Sequence, residues 1–538
     1  MKTVIKNRKL IVGIAVVLLS CIFAAWPLFS KSYIPTHDGE YHIIRFIEFF
    51  RMISSGYWFP RWAPTLNSGY GIPVFQFHYP FPNYIGAGLQ SVGFDPVYAF
   101  KLSLALGYIL AGVCSFLWLN TIFGVRAGIV GSILSLYVPY WFVDIYVRGS
   151  VGEVWAIGFV YVSLMLLEYK KFTLFSLAIA GLILSHNILA MLFIPILMGY
   201  AYMRNKRYMY GIGIGILLSS YFWIPALFER GYVVGLNTVN FRDHFVQLYE
   251  LLIPSWGTEM SGQIFSGNKM SFQLGIVSLF LMFISFFYIR KEKNSSIKKV
   301  YWYFFFISIC SVFIMLSWSS KIWDIVPLLA FVQYPWRFLS LSIPVIAFIG
   351  AFVFSHIHMR VWSMVIIICS IGIVYSYTRP VTYAQRDGQY YMSRANFTDG
   401  TSSMGNSFST IWTNWKKEKS DYVLEVTNGK VPGGLSDRSY LRKTFTLWSD
   451  WGSDVFVPIL YFPGWKVYVD GRDTSIQYTI DGTIRFFVPQ GKHSVVVIFD
   501  KTPIRKCADL ISLIALVWLL GWGILGIYAN RIRHVSHS

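Results

Sequence analysis

The sequence predicts a polytopic α-helical membrane protein with a C-terminal β-rich domain, and three observations predict it. Of 538 residues, 55% are hydrophobic and only 13% are charged, whereas a soluble domain carries roughly 25% charged residues. Apolar stretches recur along the chain, many of them about 20 residues long, enough to cross ~30 Å of hydrocarbon at ~1.5 Å per residue. One long stretch, 378–506, breaks that pattern and alternates as strands do.

About twelve spans are read, approximately at 10–29, 98–119, 127–146, 150–169, 172–185, 188–203, 208–229, 271–289, 300–317, 338–357, 360–377 and 507–529. The basic Met1–Lys9 segment and the apolar Leu10–Phe29 run read as a first span. No small-residue cleavage signature follows them, so a removed signal peptide is not expected. The organisation is then a transmembrane domain over 1–377 with long loops at 30–97 and 230–270. The β-rich domain follows over 378–506, and a final helix and tail occupy 507–538.

The formal net charge is +20. In a soluble chain that would suggest nucleic acid. Here the basic residues cluster in short loops between apolar runs, where they set topology, and no nucleic-acid partner is expected. Lys170-Lys171 and Arg204 to Arg207 flank the stretches 172–185 and 188–203. Both clusters lie on one side only if the chain crosses and returns, turning at His186-Asn187. Carried through, this assignment places the protein in the cell membrane with both termini cytoplasmic. Loops 30–97 and 230–270 and the domain 378–506 are then outside. The five cysteines lie in or beside apolar spans and suggest neither disulfides nor a zinc site.

In the outer domain, strands are expected over Tyr422–Val426, Val455–Tyr461, Trp465–Val469, Ile484–Val488 and Ser494–Phe499. Asp470-Gly471 and Asp481-Gly482 look like type I′ hairpin turns, whose two central residues need positive φ. A β-sandwich-like fold is the expected result.

The apolar spans hold almost no charge near their centres, where insertion costs about 2.5–3.5 kcal/mol. Ionisable residues gather instead at the outer rim, among them Asp38, Glu40, Asp144, Arg148, Glu153, His186, Glu229, Arg230, Asp324 and Arg337. Several spans feeding one layer suits an interfacial active site better than a transport path.

Five constellations stand out. His37-Asp38-Gly39-Glu40 precedes Tyr41–Ile53, which has an apolar face of Ile43, Phe46, Ile47, Phe50 and Ile53. It reads as an amphipathic helix lying in the membrane surface. Asp38 either caps that helix or acts as a general base, with Glu40 as partner or as ligand of a divalent metal such as Mg or Mn. In Tyr146-Val147-Arg148-Gly149 with Glu153, the Arg and Glu either pair with each other or Arg148 binds phosphate through its planar fork. Ser185-His186-Asn187 turns the short hairpin. In Gln333-Tyr334-Pro335-Trp336-Arg337, Pro335 interrupts a helix and Arg337 stands at its mouth. Phe77-His78-Tyr79-Pro80 is aromatic and either packs the loop or stacks on a sugar.

Asp38-Gly39-Glu40 just after the first span resembles the signature of GT-C glycosyltransferases. More narrowly, Tyr146-Val147-Arg148-Gly149 with Glu153, Ser185-His186-Asn187 and Gln333 to Arg337 are similar to recurrent blocks of membrane proteins labelled "6-pyruvoyl-tetrahydropterin synthase-related". That resemblance covers most of 1–380. Phe462-Pro463-Gly464-Trp465 through Asp470-Gly471 is similar to the C-terminal β-domain of GT-C relatives. No His-rich zinc cluster accompanies the label, so pterin chemistry is not expected.

The resemblance implies a GT-C-like helical fold and transfer of a sugar from a polyprenyl-phosphate carrier to a glycan, lipid or protein acceptor. Asp38 and Glu40 would be catalytic. Arg148, Glu153, His186, Asn187, Tyr334, Trp336, Arg337, His78 and Tyr79 would bind substrate. The loop 230–270, with Arg242-Asp243-His244, would close as a lid, and the β-domain would bind acceptor or support the loops. Two other classes stay open: a transporter or flippase of lipid-linked sugars, and a non-catalytic scaffold that binds an envelope polymer.

Overall fold

All twelve apolar stretches contain helix in the computed structural model, which describes residues 2–235, 239–261, 268–393, 407–413, 424–432, 434–437 and 439–535. Length divides them. Among the described residues, eight helices are long and apolar enough to cross a membrane. Two bent pairs, Val125–Leu136 with Pro139–Arg148 and Tyr208–Leu218 with Ser220–Phe228, raise the number to ten if each is one span. The remaining two, Phe172–Ser185 and Ile276–Ile289, have 14 residues each. At ~1.5 Å per residue they reach only about 21 Å. The expected twelve therefore becomes eight to ten by length, because hydropathy registers apolarity but not where a helix stops.

The basic loops pack together at one end of the bundle. Arg126 donates to the carbonyls of His358 and Phe354, at 2.5 and 3.0 Å. Arg204 pairs with Glu168 at 2.5 Å and reaches Ser296 at 2.9 Å. The chain thus goes out along Phe172–Ser185 and back along Asn187–Arg204, turning at His186, as the charge pattern requires.

The long segments meet at the other end, here termed the loop face. Tyr33 and Ala384 exchange backbone hydrogen bonds of 2.9 Å, and Val234 N–H donates to the Ser409 carbonyl at 2.9 Å. Leu460 N–H donates to Tyr70 O at 3.0 Å, and the rings of Trp62 and Trp465 lie 5.6 Å apart edge-on. The two loops and the C-terminal domain therefore share one face.

Among the described residues, the C-terminal domain has nine strands: β1 (Glu425–Val426), β2 (Gly429–Lys430), β3 (Leu435–Asp437), β4 (Arg442–Ser449), β5 (Ser453–Leu460), β6 (Trp465–Val469), β7 (Arg472–Thr474), β8 (Thr483–Val488) and β9 (Gly491–Phe499). They form two antiparallel sheets, β1-β5-β8 and β2-β4-β9-β6-β7, with β3 on β4. Four of the five expected strands fall on β5, β6, β8 and β9; of Tyr422–Val426, only Leu424 to Val426 lies among the described residues. The eight-residue β4, paired along its whole length with β9, was missed. Its Arg-Lys-Thr start hides the alternation that Phe445, Leu447 and Ser449 show as buried residues.

Asp470-Gly471 joins β6 to β7 as expected, with φ of +51° and +78° across the Val469–Arg472 pair. Asp481-Gly482 differs. Only Gly482 has positive φ, at +79°, and the Asp481 side chain accepts from the Thr483 N–H at 3.0 Å. Gln477 and Arg485 pair across this wider loop, which is not a type I′ turn.

The expectation for Tyr41–Ile53 is overturned. Helix Gly39–Ser54 does not lie on a surface with its polar residues outward. Arg45 is 7% exposed and Glu48 is fully buried. Loop 30–97 folds over the helix, and Glu48 accepts from the Thr65 N–H at 3.1 Å. A burial pattern read from one helix cannot register a loop that later covers its polar side.

Candidate active site

The site begins where two turns are stitched together. His37 N–H donates to Val147 O and Asp38 N–H to Arg148 O, both at 2.9 Å. This close approach depends on Gly149. It has φ +67°, and a Cβ there would stand 2.2 Å from Thr36 Oγ1. Asp38 precedes helix Gly39–Ser54 but makes no side-chain cap to it. Among the described residues, no hydrogen bond or ion pair engages its carboxylate. The capping alternative therefore does not describe Asp38.

From Asp38 the helix carries His42 and Arg45 at i+4 and i+7, a spacing that puts all three on one face. His42 N–H donates to Asp38 O at 3.0 Å. Arg45 Nη1 donates to His78 Nε2 at 2.7 Å. The rings continue from His78 to Tyr79, 4.0 Å between centroids, and from Tyr79 to His186, 5.1 Å. Gly152 makes room for Tyr79, whose Cζ would lie 2.4 Å from a Cβ at that position.

Glu153 is the hub. Its Oε1 accepts from Arg148 Nη2 at 2.8 Å and Arg337 Nε at 3.2 Å, and its Oε2 accepts from Tyr140 at 2.9 Å. Arg148 also bonds Asp144, four residues back on a wide π-helical turn, Val143–Arg148. Such turns recur at functional sites. Arg148 lies over the Trp336 ring at 4.7 Å, and Arg337 over Tyr334 at 5.1 Å. Arg337 Nη1 donates to Val332 O and Gln333 Oε1, both at 2.8 Å. Gln333 pays for this with φ +67°.

His186 Nδ1 accepts from the Leu189 N–H at 3.1 Å, capping helix Asn187–Arg204. A neutral ring then carries its proton on Nε2, which faces Glu153 Oε1 at 3.8 Å. Burial pushes the His186 imidazole down to about 3. Burial also holds His42 and His78 well below the ordinary value, with the Arg45 charge adding to it. These histidines are neutral, and the permanent cations are the arginines. Burial raises the Tyr79 phenol, and the Asp38 charge adds to that rise.

The loop 230–270 touches the site directly. His37 Nε2 donates to Thr258 O at 2.6 Å, and Trp336 Nε1 donates to Ser261 Oγ at 2.8 Å. His244 bonds Ser261 at 2.8 Å and meets Tyr334 edge-on at 4.9 Å. Arg242, by contrast, pairs with Asp324 away from this cluster.

Of the residues expected in the site, the structure therefore gathers Arg148, Glu153, His186, Tyr334, Trp336, Arg337, His78 and Tyr79, with Asp38 joined to them through Arg148. Two stand apart. Glu40 accepts from Arg386 and, at 3.3 Å, from Tyr391. Asn187 is exposed at the start of its helix. Among the described residues, no group of three or more His, Cys, Asp or Glu could hold a metal ion, and Glu40 is engaged by Arg386. The reading missed His42 and Arg45, although their spacing from Asp38 was visible. It also missed Thr258 and Ser261, which no local pattern marks. Glu229, read as a rim charge, is structural. It accepts from Arg505 at 2.9 Å, Gln76 at 2.9 Å and Thr502 at 2.7 Å.

No curated protein matches this chain. Among solved structures it is similar to ArnT from Cupriavidus metallidurans bound to undecaprenyl phosphate, at 13% identity and TM-score 0.39, covering 69% of this chain and 63% of that one. It is similar to the Archaeoglobus fulgidus oligosaccharyltransferase in the apo form, at 14% identity and TM-score 0.43, covering 73% and 58%. The same enzyme complexed with Zn and sulfate matches at 16% identity and TM-score 0.35, covering 73% and 56%. The match spans less than two thirds of each of these chains. The family model of the 6-pyruvoyl-tetrahydropterin synthase related domain matches residues 75–382, more than half of the chain and all the blocks that meet around Glu153. The protein thus belongs to this family of membrane proteins.

Proposed function

We propose that the protein is a membrane glycosyltransferase of GT-C type. It moves a sugar from a polyprenyl-phosphate carrier to a glycan, lipid or protein acceptor, with Asp38 as general base. One observation carries this reading: an unengaged carboxylate stands beside a buried cluster in which Arg148 and Arg337 share Glu153 and Arg148 also bonds Asp144.

The charges explain how the step would run. Arg45, Arg148 and Arg337 balance Asp38, Asp144 and Glu153 when all three carboxylates are ionised. The acceptor hydroxyl gives its proton to Asp38 as its oxygen bonds the anomeric carbon, and the bond from that carbon to the phosphate oxygen breaks. The departing phosphate gains one negative charge. The cluster gains one net positive charge at the same moment, because Asp38 is now neutral. Charge is thus compensated without moving a side chain, the condition for preorganised electrostatic stabilisation.

Arg337 is the cation we assign to the phosphate, since Arg148 is already held by both Asp144 and Glu153. Arg148 is then a positioning residue that fixes Glu153 and, through it, Arg337. Tyr79 offers a ring to a sugar, whereas Trp336 is buried and already covered by Arg148 and Tyr334. The loop 230–270 acts as a lid, held shut through Thr258 and Ser261. A lipid-linked donor fits a site on the outer side, where sugar nucleotides made in the cytoplasm do not reach. The loop face is therefore assigned to the outside of the cell membrane and both termini to the cytoplasm.

The test is a proteoliposome assay with radiolabelled polyprenyl-phosphate sugar. Transfer to acceptor supports the reading. Movement of the lipid-linked sugar across the bilayer without transfer would replace it with a flippase.

A further inference from the structure

The end of the β-domain farthest from the last helix carries a row of exposed side chains that no part of the proposed transfer uses. Lys430 on β2, Trp448 on β4 and Lys492 on β9 are directly opposite one another across the sheet. Residues so paired project to the same face. Buried Phe445, Leu447 and Ser449 turn that face outward at Trp448, whose side chain is 52% exposed. Lys492 Nζ lies 5.7 Å from the Trp448 ring. The next row along the face is Thr446 opposite Ser494, two hydroxyls. Trp451, 84% exposed, stands at the tip of the adjoining hairpin. The exposed ring has a lysine on each neighbouring strand, with hydroxyls alongside and Trp451 near it; exposed apolar surface grouped and rimmed by polar residues marks an interaction site.

Position selects the partner. β9 runs from Lys492 to Phe499, seven residues or about 23 Å at ~3.3 Å per residue. Phe499 is the end that meets the rest of the protein, with its ring 5.6 Å from Trp62 and the last membrane helix starting at Pro503. The Lys–Trp–Lys row therefore points away from the bilayer end of the domain, which disfavours a lipid surface. We propose that this row is a binding surface for an acidic glycan, in which the Trp448 ring stacks on the apolar face of a sugar and Lys430 and Lys492 pair with its carboxylate, phosphate or sulfate groups. This goes beyond the transfer reading and requires no catalytic step.

The full-length protein in nanodiscs of zwitterionic lipid tests it, with polygalacturonate, neutral dextran and phosphatidylglycerol vesicles as probes. Asp38→Asn serves as the background, so that binding is read without turnover. Polygalacturonate should bind more tightly than dextran. Trp448→Ala should weaken that binding about 10-fold, equivalent to ~1.4 kcal/mol. Lys492→Gln should weaken it several-fold and flatten its salt dependence. Both positions are exposed, and an unchanged melting temperature shows that the variants fold. Equal affinity of Trp448→Ala and the parent overturns the proposal. So does binding to vesicles in preference to polygalacturonate, or no difference between acidic and neutral polymers. Loss of sugar transfer in the parent protein would remove the catalytic reading and leave this one standing.

Discussion

The backbone N–H of Asp38 donates to the carbonyl of Arg148 across 2.9 Å, joining residues 110 positions apart. The free carboxylate of one and the paired guanidinium of the other are thereby fixed in a single rigid turn. Three predictions follow from the contacts built around that joint, and a fourth from the tie between Glu229 and Arg505.

Asp38→Asn removes the proposed base and keeps the volume. Transfer should fall about 10²–10⁴-fold, the usual share of general base catalysis. Protein level and melting temperature should not change, since among the described residues the carboxylate makes no cap or ion pair. Wild-type transfer by this variant would remove Asp38 from the mechanism.

Arg148 and Arg337 should separate in their effects. Arg148→Met strands Asp144 and leaves Glu153 with Arg337 and Tyr140 alone, both carboxylates being fully buried. Breaking a buried ion pair in this way costs about 3–5 kcal/mol, visible as a lower melting temperature in detergent. Arg337→Lys keeps a charge near Glu153 but loses the planar fork. It should reduce transfer strongly with a much smaller thermal shift. Equal thermal losses in both would contradict the division into positioning and substrate-binding residues.

The buried histidines predict the acid limb of stability. Their folded values lie below the ordinary 6.5, with His186 at about 3. Between those values the unfolded chain binds protons that the folded protein refuses. Stability is therefore full above about pH 6.5 and is lost as pH falls toward 3. Melting temperatures recorded from pH 8 down to about pH 4 check this, since imidazoles titrate in that range. His186→Asn can still cap its helix and should flatten the slope; an unaltered slope would show that His186 is not among the groups responsible.

Glu229 and Arg505 tie the last helix and the β-domain to the bundle, with Gln76 and Thr502 as further donors. Glu229→Gln leaves the buried Arg505 without its counter-charge, at a cost of about 3–5 kcal/mol. Limited proteolysis near residue 502 should quicken well before the bundle unfolds. Unchanged cleavage would mean that packing at Trp62 and Trp465 holds the domain unaided.

Some of this was legible because the signals are local. Asp470-Gly471 shows its I′ turn in two letters, as positive φ at both positions needs residues of that kind. Lys170-Lys171 and Arg204 to Arg207 reveal the hairpin that turns at His186, since each cluster opposes crossing on its own account. Asp481-Gly482 carried the same two-letter signal and failed, because a side-chain bond to Thr483 holds Asp481 at negative φ. Glu40 looked like a partner of Asp38 at two residues' distance, yet helical geometry turns it toward Arg386 from a segment almost 350 residues away.

The sequence by itself determined the membrane-spanning character and the β-rich appendage. Those properties follow from hydropathy, period and charge, which each segment carries independently of the others. Tertiary structure alone decided that Glu153, rather than Asp38, is the hub, that Arg148 is already paired with two carboxylates, and that loop residues Thr258 and Ser261 bond His37 and Trp336. The reason is that an ion pair or hydrogen bond has an energy only when its two partners are within a few ångströms. Nothing in either partner's own neighbourhood along the chain encodes that distance.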